Sequence, residues 1–118
     1  MRRADTASKG VDTMDRSTAL TTAKAYAAEV RKVLSPFRII MYGSHAKDTA
    51  TTDSDIDIDI AVIFDGYHGN WLKDSSLLWK LTRTVSTSIE PILLDRTQDP
   101  SGFIAEIFNA GEILYSEK

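Results

Sequence analysis

Two acidic residues one position apart, Asp55 and Asp57, follow the pair Gly43-Ser44 with ten residues between. Glycine has no side chain and tolerates positive φ, so a phosphate group can approach the backbone closely there. Strand side chains alternate with period two, so the two aspartates would project from one face with Cβ atoms roughly 6–7 Å apart. Mg²⁺ usually takes one or two carboxylates plus substrate phosphates. The pattern therefore predicts a site for a nucleoside triphosphate and its metal ions, suited to phosphoryl or nucleotidyl transfer.

A third carboxylate is expected beside this pair, and two residues compete for the role. Glu90 lies on a predicted strand that could pair beside the strand of Asp55 and Asp57. There it could bind a second metal ion or take the proton from an acceptor hydroxyl. Asp59 continues the same strand face, but we favour Glu90 because Asp59 lies one pleat deeper, away from the turn. The alternative for Glu90 is an ordinary surface residue before Pro91.

The predicted turn supplies groups for the phosphates. Backbone N–H groups of Gly43 and Ser44, together with the serine hydroxyl, would hold the β- and γ-phosphates. Lys47 could neutralise phosphate charge, although a lone lysine in a turn is usually solvated. His45 has no second histidine or cysteine nearby, which argues against a transition-metal site.

The acidic strand also has a simpler interpretation. Alternating aspartate and isoleucine over residues 55–60 is what a half-buried strand with a solvated face looks like. Three like charges on one face repel, however, and no Lys or Arg is interleaved to relieve them. The Gly-Ser pair also follows an apolar run directly. The metal site is therefore the favoured interpretation.

Composition predicts one domain and excludes several classes of protein. The chain has 118 residues, of which 42% are hydrophobic, which is enough for one core. The formal net charge of −3 and the lack of a basic run argue against direct nucleic-acid binding. No apolar stretch approaches the roughly 20 residues of a membrane span. With no cysteine and no secretory signal, we expect a cytoplasmic protein.

Apolar spacing predicts the order helix, strand, strand, helix, strand, helix, with a short last strand. Residues 1–16 are polar and predict a flexible tail before a domain over residues 17–118. The first helix would begin near Ser17 or Thr18 and end before Pro36. The later elements are predicted at Phe37–Tyr42, Ser54–Phe64, Trp71–Val85, Ile89–Leu94, Phe103–Ala110 and Ile113–Tyr115. These elements predict an α+β fold in which a small mixed sheet is backed by helices.

The motifs resemble those of a known family. The stretch from Ile39 to Ala46, followed by Ser54-Asp55-Ile56-Asp57, is similar to the hydrophobic strand, GSxAxG turn and SDxD strand of the minimal nucleotidyltransferase (MNT) family. That family lies within the DNA polymerase β-like superfamily. The resemblance implies a palm-like fold, ATP as substrate and Mg²⁺ bound by Asp55, Asp57 and Glu90. Two positions depart from the pattern: Asp48 stands where the turn usually has its second glycine, and Glu90 replaces an aspartate.

Family members of this size resemble antitoxins encoded beside HEPN-domain RNases. The resemblance thus implies an antitoxin that binds a HEPN partner and transfers AMP to a tyrosine of that toxin. Two alternatives stay open. The chain could be a catalytically weak module that neutralises its partner by contact alone, or the catalytic subunit of a small-molecule nucleotidyltransferase completed by another chain. Homo- and hetero-oligomers are both compatible with the sequence.

Overall fold

The structure, a computed structural model, describes residues 15–43 and 57–117. Three helices and four strands follow one another along these residues in the order α1, β1, β2, α2, β3, α3, β4. The helices are α1 (Arg16–Val33), α2 (Trp71–Thr82) and α3 (Phe103–Ala110). The strands are β1 (Arg38–Tyr42), β2 (Ile58–Phe64), β3 (Ile89–Asp95) and β4 (Glu112–Ser116). The predicted α+β fold with a small mixed sheet is confirmed.

The four strands form one sheet in the order β3-β2-β1-β4. β1 lies antiparallel to β2 and to β4, whereas β2 and β3 are parallel. A parallel pair needs a crossover connection, and α2 lies in the segment that joins β2 to β3. Because of these strand directions, the last residues of β1 and the first residues of β2 and β3 lie at the same end of the sheet.

Helices pack on both faces of the sheet, as the apolar centre of β1 predicts. Ile39, Ile40 and Met41 are completely buried, and successive residues point to opposite faces. One face packs against α1 and α2, and the other packs against Ile104 and Ile107 of α3. The first core contains the buried residues Ala19, Ala23, Tyr26, Ala27, Val30, Ile39, Met41, Ile58, Ile60, Val62, Leu78, Ile89 and Leu93. The second contains Ile40, Ala61, Ile63, Ile104 and Ile107.

A buried hydrogen bond ties α1 to α2. The hydroxyl of Tyr26, which is completely buried, donates to the backbone carbonyl of Leu78 at 2.6 Å. Burial raises the pKa of the Tyr26 hydroxyl far above its ordinary value. The bond satisfies a polar group that would otherwise be costly inside the core.

Helix α1 begins earlier than the sequence predicts. Its N-cap is Asp15, whose carboxylate accepts a hydrogen bond from the backbone N–H of Thr18 at 2.7 Å. Ser17 and Thr18 therefore lie inside the first turn, and Arg16 belongs to the helix rather than to the predicted tail. The end of the helix is as expected, because Leu34 is already extended two residues before Pro36.

Strand β2 is shorter than the predicted strand Ser54–Phe64. It begins at Ile58, so Asp57 directly precedes the strand instead of lying on it. The reason is that its neighbour ends: Tyr42 pairs with Asp59, and Gly43 then turns the chain away with a φ of 82°. Residues 54–56 lie outside the described residues.

The remaining elements differ from the predictions only at their ends. Helix α2 stops at Thr82, and a turn carries the chain from there to Val85. Strands β3 and β4 extend slightly beyond their predicted ends, and α3 has the predicted bounds. Phe103, the first residue of α3, is 36% exposed. Within the described residues no helix is both long and apolar enough to cross a membrane.

Asp95, the last residue of β3, organises the loop that follows β2. Its carboxylate accepts hydrogen bonds from the backbone N–H groups of Gly66 and Tyr67 at 3.0 and 2.9 Å. It also accepts from the backbone N–H and the hydroxyl of Thr97 at 2.9 and 2.7 Å. These bonds, those from Thr97 foremost, hold the pKa of Asp95 well below its ordinary value.

Candidate active site

A row of polar residues crosses three strands at one end of the sheet. Asp59 on β2 pairs with Tyr42 on β1 and with Glu90 on β3. Neighbouring strands lie about 4.8 Å apart, so the three side chains are immediate neighbours across the sheet. Asp59 is half-buried and Glu90 is exposed. The strand that carries Glu90 was expected to pair beside the strand that follows Asp55 and Asp57, and this pairing of β3 with β2 is observed.

The row lies on the sheet face that packs against α3. Asp59 shares its face with Ala61 and Ile63, because side chains two residues apart project the same way, and both of those contact the α3 core. By the same alternation, Glu90 shares its face with Ile92 and Leu94, which pack against that core as well. The polar row therefore lies on the same sheet face as the apolar residues beneath α3, between those residues and the solvent at the end of the sheet.

Gly43 closes one side of the row, directly after Tyr42. Its φ of 82° is a conformation that residues with a Cβ rarely adopt. A Cβ built on Gly43 would lie 2.5 Å from Oδ2 of Asp59, well inside van der Waals contact. Glycine is thus needed here both for the turn and for the close approach of the backbone to the Asp59 carboxylate.

The carboxylates at this end of the sheet act on one another. A side-chain hydrogen bond with Asp57 is the largest cause that raises the pKa of Glu90 above its ordinary value. Burial and the negative charges of Asp57 and Asp59 raise the pKa of Glu90 further. Asp57, although outside the strand, therefore lies within reach of Glu90. The structure thereby brings together two of the three predicted carboxylates.

The register changes the argument about the third carboxylate. The sequence favours Glu90 over Asp59 on the expectation that Asp59 lies one pleat deeper. The two residues are instead direct partners across the β2–β3 ladder and therefore lie at the same depth. Depth in the sheet therefore does not distinguish Asp59 from Glu90 as the third carboxylate. Their neighbours do distinguish them, because Asp59 lies against Gly43, whereas Glu90 lies on the edge strand β3 next to Asp57.

Tyr42 is a member of the row that the sequence analysis missed. Burial raises the pKa of its hydroxyl first, and the charges of Asp59 and Glu90 raise it further. Its ring packs edge-on against the ring of Phe103 in α3, with centroids 5.8 Å apart and planes at 87°. The only signal in the sequence was its position immediately before Gly43.

The oxygen donors present are of the kind that a hard divalent cation prefers. The hydrogen bond with Asp57, burial and the negative charges of Asp57 and Asp59 together raise the pKa of Glu90, and carboxylates this close to one another would gain from a cation placed among them. The groups at the site therefore fit a metal ion chemically. Within residues 15–43 and 57–117, however, no group of three His, Asp or Glu side chains is arranged to hold one. The predicted ligand Asp55 lies outside those residues.

The other predicted site residues also fall outside the described part of the chain. These are Ser44 and Lys47, predicted to hold phosphate, and Asp48, the departure from the turn pattern. Among the predicted residues, the structure therefore describes Gly43, Asp57 and Glu90, and it places all three at the same end of the sheet.

The fold and the site define a class of α+β domain in which a four-stranded mixed sheet has carboxylates at one end, beside a tight glycine turn. Comparison with known proteins narrows that class. The family described as "Polymerase beta, Nucleotidyltransferase" matches residues 24–118. The chain therefore belongs to the polymerase β nucleotidyltransferase family.

A solved structure supports the fold assignment independently. The chain is similar to a protein from Sulfolobus solfataricus that is provisionally described as a nucleotidyltransferase, with a TM-score of 0.61 and 21% sequence identity. The similarity covers 92% of this chain and 91% of the other. At that identity the likeness concerns the fold. No curated protein matches the sequence.

Proposed function

We propose that this protein is a Mg²⁺-dependent nucleotidyltransferase that transfers AMP from ATP to a tyrosine hydroxyl of a HEPN-domain partner, and so acts as its antitoxin. Membership of the nucleotidyltransferase family supports the general reaction. The observation that carries the proposal is the register of three strands, which brings Gly43, Asp59 and Glu90 to one sheet end beside Asp57.

We place the phosphates of ATP and the acceptor hydroxyl on opposite sides of the site. Gly43 lies on the β1 side, where its backbone N–H is proposed to hold the β- and γ-phosphates, while the space that a side chain would fill is taken by the Asp59 carboxylate. Glu90 lies on the β3 side, where its raised pKa suits a group that accepts a proton. The acceptor hydroxyl would approach from that side, opposite the leaving phosphates, as an in-line displacement requires.

The proposed step is an in-line displacement at the α-phosphorus of ATP. The acceptor oxygen forms a bond to the α-phosphorus of ATP, and the bond from that phosphorus to the bridging oxygen of the β-phosphate breaks. Pyrophosphate leaves with that bonding pair, and the proton of the acceptor hydroxyl passes to the carboxylate of Glu90. Metal ions that Asp57 and Asp55 would hold would neutralise the phosphate charges. Glu90 is proposed as either the ligand of a second ion or the group that takes the proton, and in this step it takes the proton.

The partner part of the proposal rests on the resemblance to the MNT motif and on one surface feature. Helix α2 exposes Trp71, Leu72 and Trp79, which are 55%, 71% and 50% accessible. We call these three residues the α2 patch. Large apolar side chains grouped on one exposed helix are typical of protein contact surfaces. The α2 patch also favours the second candidate, a module that neutralises its partner by contact without transfer.

One experiment tests the transfer. The purified protein is incubated with α-labelled ATP, Mg²⁺ and a HEPN-domain protein encoded beside it, and the intact mass and label of both proteins are followed. We expect the partner to gain one or more AMP units. Asp57→Asn should abolish the gain. Asp65→Asn is the matched control, because Asp65 lies just beyond the other end of β2 and pairs with Arg96 at 3.1 Å.

The outcomes separate the candidate functions. Label on the partner that survives Asp57→Asn would contradict the proposed chemistry. A stable, inactive complex without label would favour neutralisation by contact, and Trp79→Ser should then weaken that complex. Label that appears on a small-molecule acceptor and never on the partner would favour the small-molecule nucleotidyltransferase.

A further inference from the structure

A cavity of about 170 Å³ opens beside the polar row, between α3 and the ends of β1 and β4. Tyr42 and Gly43 line it from the sheet, and Phe103, Glu106 and Ile107 line it from α3. An apolar cavity of about 150 Å³ is large enough for a benzene-sized ring. The space therefore suits one flat ring system and is too small for a whole nucleotide.

The walls of the cavity are suited to a planar ligand. The rings of Tyr42 and Phe103 meet edge to face, so they form a fixed aromatic corner. Ile107 is buried beneath it, while Ala110 and Gly111 complete the lining with small residues. Gly111 is needed there, because a Cβ at this position would meet Ile40 and the carbonyl oxygen of Ile107. The small residues Ala110 and Gly111 thus keep this space between α3 and the sheet open.

The position of the cavity decides which part of the substrates it can take. In the proposed reaction the pyrophosphate leaves on the Gly43 side and the acceptor enters on the Glu90 side. The cavity borders Gly43 and Tyr42 and lies across β1 from Glu90, since β1 and β4 are on the opposite half of the sheet from β3. The acceptor, which would enter on the Glu90 side, could therefore not occupy this cavity. The remaining planar part of the substrates is the base of the nucleotide.

Two of the side chains that line this space are polar, those of Tyr42 and Glu106. Glu106, in the first turn of α3, contributes a carboxylate to the cavity wall. A carboxylate accepts hydrogen bonds and has no N–H to donate. It would therefore pair with an amino group on the edge of a base, whereas beside a base that lacks one this exposed carboxylate would keep only water as its partner.

We propose that this cavity is the nucleobase subsite, and that Glu106 selects bases that carry an exocyclic amino group, such as adenine. The inference rests on the proposed function, because it takes Gly43 as the phosphate side of the site. It adds a selectivity-determining residue to that function. Phe103 and Tyr42 supply the surface against which the base packs.

The test compares ATP with purine riboside 5′-triphosphate, which differs from ATP only in lacking the amino group. Binding is measured by calorimetry in Mg²⁺ without any acceptor. We expect the wild-type protein to bind ATP about tenfold more tightly, the effect of one hydrogen bond to a charged group. Glu106→Ala should remove this preference, and Glu106→Gln, which keeps an acceptor oxygen, should retain part of it. Glu117→Ala, beyond the end of β4, is the control that should change nothing.

Phe103 gives a second, independent measurement. Phe103→Leu keeps apolar bulk at the start of α3 but removes the ring, so its fold should be unchanged by circular dichroism. We expect this variant to weaken both nucleotides by about tenfold, since stacking of a base on an aromatic ring is lost. Adenosine without phosphates should give saturation-transfer NMR contacts with the wild-type protein that Phe103→Leu reduces.

The results distinguish this inference from the proposed function. If ATP binds but the two Glu106 variants change the affinity for both nucleotides equally, the residue acts only through its charge and the selectivity is refuted. If Phe103→Leu has no effect on any ligand, the base binds elsewhere. If the adenosine contacts follow the expected pattern while no AMP is transferred to any partner, the subsite stands and the proposed transfer falls.

Discussion

Gly43→Ala is the substitution whose cost can be worked out most directly from the structure. Two terms contribute. The first is the left-handed backbone, which costs a residue with a Cβ about 1 kcal/mol. The second is the close approach of the new Cβ to Oδ2 of Asp59, at 2.5 Å, which forces that carboxylate out of its rotamer for about 1 kcal/mol more. We expect a total loss of about 2 kcal/mol in the free energy of unfolding.

The chain contains its own controls for the first term. Gly66 and Gly102 have φ values of 80° and 78°, almost the same as Gly43. A Cβ at Gly102 would meet nothing within 4 Å, and one at Gly66 would only touch His68 at 3.9 Å. Gly102→Ala and Gly66→Ala should therefore each cost only about 1 kcal/mol, the backbone term alone.

The assay is urea unfolding followed by far-UV circular dichroism, with a double-mutant cycle between Gly43→Ala and Asp59→Ala. In the Asp59→Ala background the second term disappears, so Gly43→Ala should cost only about 1 kcal/mol there. Gly43→Ala in combination with Asp59→Asn should keep the full cost, because asparagine has the same shape. A Gly43→Ala cost that equals that of Gly102→Ala, or that is the same in both Asp59 backgrounds, would refute the reasoning about close approach.

Three further predictions concern stability. Asp95→Asn should lower the melting temperature at pH 7, because hydrogen bonds hold the pKa of Asp95 in the folded protein below its unfolded value. The stability that Asp95 contributes is present above the unfolded pKa of about 4 and is lost as the pH falls from there through the folded pKa. The melting temperatures of the two proteins should therefore converge in acid, and a difference that stays constant with pH would contradict this. Tyr26→Phe should cost about 1–2 kcal/mol in urea unfolding, since the buried hydrogen bond from the Tyr26 hydroxyl to the carbonyl of Leu78 is lost, whereas an unchanged free energy of unfolding would contradict a stabilising role for this bond. Ile60→Ala, in the completely buried centre of β2, should cost about 2–5 kcal/mol, whereas Ile113→Ala on the exposed part of β4 should stay within about 0.5 kcal/mol, and similar costs would contradict the observed burial.

Much of the fold could be predicted because local patterns dominate it. The bounds of α3 follow from its dense apolar spacing and the glycines at either end. The apolar centre of β1 indicates a strand that is covered on both faces, and Ile39, Ile40 and Met41 are indeed buried. The N-terminus of α1 was harder, since Asp15, Ser17 and Thr18 are all competent caps and only the structure shows which one accepts the bond.

The candidate site was predictable in residue types but less so in arrangement. The start of β2 depends on where β1 stops, which no pattern inside residues 54–64 encodes. The pairing of Asp59 with Glu90 depends on the register of a parallel ladder closed over a long crossover, and a sequence does not fix that register locally. The position of Tyr42 against Phe103 and that of Glu106 in the cavity wall could not be predicted, because both arise from tertiary contacts between α3 and the sheet.

The polar row is assembled from positions that are far apart along the chain. Tyr42, Asp59 and Glu90 meet only when both the antiparallel β1–β2 ladder and the parallel β2–β3 ladder are in place. Such non-local pairings carry a loop-closure cost and tend to form slowly during folding. A chain that has not docked β3 therefore lacks Glu90, the proposed acceptor side of the site. We expect the polar row to be completed late in folding, and a ligand that bridges the row to stabilise the folded domain by mass action.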